Sequence, residues 1–78
     1  MKLYKISQTV NKGYDTYYSA IVCAKSEDEA RNIHPGDCDW GNPYTSWCNS
    51  PDQVTVEPIG TAAPGTRQGI VLASFNAG

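Results

Sequence analysis

His34 and Cys38 stand four residues apart, with Asp37 and Asp39 beside them and Cys48 ten residues further on. A thiol next to an imidazole can become a nucleophilic thiolate. His34, Cys38 and Cys48 with one carboxylate would make a four-ligand zinc set. The spacing supports neither chemistry. The His-Cys pair straddles Pro35-Gly36 with no third group to orient the base, and the close C-x2-C pairs of zinc sites are missing. The plain reading is a loop cysteine and a histidine at a helix C-terminus, where the dipole favours a cation. No catalytic residue, metal ligand or cofactor is assigned. A disulfide between Cys38 and Cys48 would staple the loop, but an odd total of three cysteines fits a reducing compartment better. Cys23, inside an apolar run, reads as a small core residue.

A second constellation points to binding rather than catalysis. Trp40, Tyr44 and Trp47 fall close together, with Asn42, Thr45, Ser46 and Asn49 among them as hydrogen-bonding groups. Further on, Pro64-Gly65-Thr66-Arg67-Gln68-Gly69 joins turn chemistry to a hydroxyl and a guanidinium, a combination that can hold a phosphate or carboxylate. It is not a Walker loop, since the spacing and the lysine are absent. The aromatics would stack on a base, at about 1–3 kcal/mol per base, while Thr66 and Arg67 took a phosphate. The competing readings are an ordinary hairpin loop and two tryptophans that plug the core. The acids Glu27, Asp28 and Glu29 are explained by helix capping.

The elements that must position these residues follow from the patterning. The organising stretch is Tyr17–Ala24, a strand apolar on both faces and so expected at the centre of a sheet. Tyr18, Ala20, Val22 and Ala24 share one face. Ser26 and Glu29 then form a capping box, in which the Glu29 carboxylate would reach back to the Ser26 N–H. The helix is expected over Glu27–Ile33, because Pro35 disfavours helical geometry at His34. Before it, Lys2–Val10 reads as a strand with Tyr4, Ile6 and Val10 on one face, followed by a loop over Asn11–Thr16. After it, His34–Asp52 has no period, and a loop of this length is usually functional. It either covers an end of the core or presents its aromatics to a partner. Gln53–Ile59 is the third strand, an edge or a bulged one because Pro58 lacks an N–H. Gly69–Phe75 is the fourth, apolar on both faces, and so either central or at an oligomer interface.

The fold class is therefore α+β: one domain over residues 1–78, in the order β-β-α-β-β, with an antiparallel four-stranded sheet, one short helix and a long aromatic loop. Val, Ile, Leu and Phe number only 13 of 78, so the core is thin and self-association would help to complete it. A net charge of −2 argues against duplex DNA as a partner. No apolar run is long enough to span a bilayer and there is no secretory h-region, which points to the cytoplasm.

The stretch MKLYKISQTVNKGYDTYYSAIVCAKSEDEARNIHP and the closing GIVLASFNAG resemble small uncharacterised proteins of phages and prophages. That family carries no catalytic motif, so the resemblance transfers no functional residue. It implies a virus-encoded accessory protein in the host cytoplasm, of the kind that counters host defence. Three functions are then open: sequestration of a nucleotide-like signal by a homo-oligomer, with Trp40, Tyr44, Trp47, Thr66 and Arg67 as the ligand site; inhibition of a host defence complex, such as a CRISPR effector, by protein binding; or a structural or regulatory role in the phage.

Overall fold

The computed structural model describes residues 1–11, 16–36, 40 and 46–76. Four strands form one antiparallel sheet: β1 (Lys2–Ser7), β2 (Thr16–Ala24), β3 (Thr55–Thr61) and β4 (Gly69–Asn76), in the spatial order β3-β1-β2-β4. A single helix, α1 (Glu27–Arg31), follows β2, and a 3-10 turn at Pro51–Gln53 precedes β3. The fold is the α+β arrangement expected from the sequence.

The first strand stops at Ser7 rather than Val10, and Gln8 is the reason. Its side chain is buried, and its amide does the work of a turn. Oε1 accepts from the backbone N–H of Val10 and of Asn11 at 2.9 and 2.8 Å, while Nε2 donates to the carbonyls of Asn11 and Tyr17 at 2.7 and 2.9 Å. A side chain that satisfies the backbone in this way competes with the ladder and ends it. Val10 is consequently exposed and not on the Tyr4–Ile6 face.

Central β2 carries a register shift between Tyr17 and Ser19. A bulge moves every residue before it to the opposite face. Tyr18 is therefore exposed, and Tyr17 packs against the core in its place. Past the bulge the expected face holds: Ala20, Val22 and Ala24 are buried with Tyr4 and Ile6 of β1.

The helix begins as expected, with Glu29 N–H donating to Ser26 Oγ at 3.2 Å. The reciprocal arm differs: the Glu29 carboxylate accepts from the Lys25 N–H at 3.1 Å. The helix ends two residues early. Asn32 donates through its side-chain Nδ2 to the Asp28 carbonyl at 2.7 Å, the acceptor that an α-helical N–H at position 32 would use. Its own N–H turns to Glu29 at 3.3 Å, a tighter closure that stops the helix. Arg31 then ties the helix to the chain ahead of β3, donating through Nη1 to the carbonyls of Pro51 and Val54.

The sheet has one covered face. Tyr4, Ile6, Ala20 and Val22 meet Ala30, Trp47, Cys48 and Val54 there, with Val56 of β3 and Ala73 of β4 partly buried at its margins. On the other face Lys5, Ile21 and Leu72 stand side by side across β1, β2 and β4. Cys23 is buried on this second face, where its thiol lies 3.9 Å from Met1 Sδ, rather than in the helix-side core. The fourth strand is neither central nor covered: it is an edge, with Ile70, Val71 and Leu72 exposed.

Replacing Gln8 by Leu keeps the volume and removes all four turn bonds. Urea titration followed by circular dichroism should show a loss of about 2 kcal/mol, the cost of leaving backbone groups without their buried partner. A neutral result would mean that the turn does not depend on the amide.

Candidate functional site

The loop after α1 was open to two readings, and the structure divides it between them. Trp47 is fully buried, the largest side chain in the core. It lies over the sheet where the five-residue helix leaves space. The backbone around it is pinned: Tyr17 N–H donates to the Ser46 carbonyl at 2.7 Å, and Asn11 Nδ2 donates to the Trp47 carbonyl at 3.2 Å. Trp47 is thus a core residue, and a ligand cannot stack on its ring without opening the fold. Trp40 is different. It is only partly buried, and its ring meets that of His34 edge-to-face, with centroids 5.1 Å apart. His34 is itself buried, and its Nδ1 accepts from the Gly36 N–H at 3.0 Å. That bond holds the imidazole still beneath the indole. A Cβ at Gly36 would displace Ser46 Oγ and crowd the His34 ring.

Cys48 is a free and buried thiol, so the staple to Cys38 is not formed. Burial pushes its pKa up, against hydrogen bonds from its own backbone and that of Ser50. A thiol held protonated is a poor nucleophile and a poor ligand. Among the described residues, no three of His, Cys, Asp and Glu gather as a metal site would need. Cys38, Asn42, Tyr44 and Thr45 lie outside the described residues.

Thr66 and Arg67 sit in the β3–β4 turn. Thr66 closes it, donating through Oγ1 to the Ala63 carbonyl at 2.7 Å and through its N–H to the same oxygen at 3.1 Å. Gly65 and Gly69 take φ of +88° and +128°, which other residues rarely adopt. Arg67 is exposed. The turn is moored beside the helix start by Gln68 Nε2, which donates to the Glu29 carboxylate at 3.2 Å.

Within one chain the two halves of the expected site are apart. Trp40 and His34 belong with Gly36 and Ser46 at the Tyr17 end of β2, whereas Arg67 precedes Gly69, which pairs with Cys23 near the other end. Six residues of strand separate Tyr17 from Cys23, roughly 20 Å. The turn also neighbours Glu27, Asp28 and Glu29, an acidic setting that does not favour a phosphate. A shallow depression of about 310 Å³ lies between β2 and β4, lined by Ser19, Ala20, Ile21, Leu72, Ala73 and Ser74. Its position depends on which strands are neighbours, which residue alternation does not encode. No helix among the described residues is long and apolar enough to cross a membrane. No protein-family model, curated protein or solved structure matches the chain.

Trp47→Ala should unfold the protein or nearly so. Truncating a buried aromatic costs about 3–5 kcal/mol, and a domain of this size has only some 4–12 kcal/mol in all. A Trp47→Ala protein with an unshifted urea midpoint would return Trp47 to the list of exposed binding residues.

Proposed function

We propose that the protein is a non-enzymatic binding protein that sequesters a nucleotide-like ligand as a homo-oligomer. The observation that supports this most is the Trp40–His34 pair. An indole partly open to solvent rests on a buried imidazole that is locked by the Gly36 N–H. Such a ring is positioned before any ligand arrives, so stacking on it costs little ordering. Arg67, exposed in the turn that Thr66 closes, supplies the phosphate-binding part. The resemblance to phage and prophage proteins supplies the setting: an accessory protein in the host cytoplasm that removes a defence signal.

The exposed Ile70, Val71 and Leu72 favour a second reading, in which the target is a host protein and the apolar β4 is the contact. The two readings part on a ligand panel. In the first, cyclic dinucleotides or ADP-ribose should raise the melting temperature, and protein denatured and filtered should release an ultraviolet-absorbing compound. At a hundredfold excess over Kd, binding adds about 2.7 kcal/mol, or roughly 10–20 °C for so small a domain. Trp40→Ala should lose the shift. Flat melting curves across the panel, with no compound released, would sink sequestration and leave the protein-target reading.

A further inference from the structure

The two edges of the sheet are built differently. The β3 edge, Thr55–Thr61, carries Glu57 and Pro58, both exposed, and a register shift opposite Leu3 and Tyr4. A charge, a proline and a bulge are the devices by which sheets discourage a further strand. The β4 edge, Gly69–Asn76, reads GIVLASFN, with no charge and no proline. Its Ile70, Val71 and Leu72 are exposed at 42, 52 and 68%. Its pairing with β2 also has register shifts, opposite Ile21–Val22 and Tyr17–Ser19, so charge and proline rather than a bulge set the two edges apart. Among the described residues, β4 is paired on one side only, with β2.

We infer that a second copy of this chain pairs antiparallel along β4, and that this pairing completes a ligand site from Trp40 of one subunit and Thr66 and Arg67 of the other. The occupant is a second copy because a neutral strand meets its own image without repulsion. An antiparallel ladder has a two-fold axis perpendicular to the sheet, so one patch serves both partners.

The same symmetry resolves the separation found within one chain. In an antiparallel pair whose two-fold axis falls near the middle of β4, the start of one strand lies beside the end of the other. Arg67 stands two residues before the start of β4. The end of β4 pairs with Thr16 and Tyr17, and Tyr17 is bonded to Ser46 in the cluster of Gly36, His34 and Trp40. The partner's Arg67 is thereby brought toward the aromatic end of this subunit, one strand spacing of about 5 Å beyond its edge. A base on Trp40 and a phosphate on the partner's Arg67 are the two contacts a nucleotide needs. Two equal sites result per dimer.

This inference rests on the nucleotide-binding reading, and subunit mixing tests the two separately. The probe is whichever of cyclic di-GMP or ADP-ribose shifts the wild-type melting curve. Arg67→Ala and Trp40→Ala homodimers should each lose binding. Mixed after brief denaturation, they should regain about a quarter of the wild-type sites, because half of the dimers are mixed and each holds one intact site. Trp40→Leu, which keeps an apolar contact with His34, serves if the alanine variant fails to fold. Native mass spectrometry gives the second readout: wild type should be even-numbered, and Leu72→Lys, an exposed substitution on the edge, should be monomeric with an unchanged circular dichroism spectrum. Wild type that binds the probe while the mixed variants recover nothing overturns the inference and leaves the function standing; wild type that binds the probe as a monomer overturns the inference and the homo-oligomer, and leaves only the ligand binding. Wild type that binds neither probe removes the function and the shared site together.

Discussion

Trp47 fills the space that a five-residue helix leaves above the sheet. That burial is the contact on which the rest of the molecule depends. It brings the long loop back across β1 and β2 and fixes it through the bonds from Asn11 and Tyr17. It also sets Ser46 against Gly36, and so sets the position of His34 and the indole above it. A chain with so few branched aliphatics has to spend one of its two tryptophans on the core. Only the other is left partly open, which is why the proposed site is built on it.

The same shortage of apolar volume explains the uncovered parts. One helix, one loop and one tryptophan cover one face of the sheet. The opposite face and the β4 edge keep Ile21 and Leu72 at the surface or near it. An exposed neutral edge is a hazard in a monomer. It becomes structure when a second copy occupies it, and association then offsets part of what the thin core lacks. Stability and binding are on this account two consequences of one contact.

Much of the fold was legible because it is local. The apolar run at Tyr17–Ala24, the Ser26 cap and the proline at position 58 each act within a few residues, and each produced the element it signals. What was not legible depends on partners distant in sequence. Nothing in the string says that Gln8 replaces three residues of strand with a side-chain turn, since its partners include the Tyr17 carbonyl. The bulge that exchanges Tyr17 and Tyr18 is set by pairing with β4. The two tryptophans are alike in sequence and opposite in fate, because only the packed core decides which one is covered. Pro64-Gly65 marks the Arg67 turn locally, but its distance from Trp40 depends on strand order, which the alternation of residues does not encode.

Pairing with a second copy would leave β4 no free edge in solution. Amide hydrogen exchange, followed residue by residue by nuclear magnetic resonance at two protein concentrations, tests it most directly. With a second copy on β4, the Leu72–Asn76 amides facing away from β2 should be protected, and their protection should fall on dilution while the β1 amides stay unchanged. Amides there that exchange as in an unpaired strand, at the same rate at every concentration, would contradict that pairing.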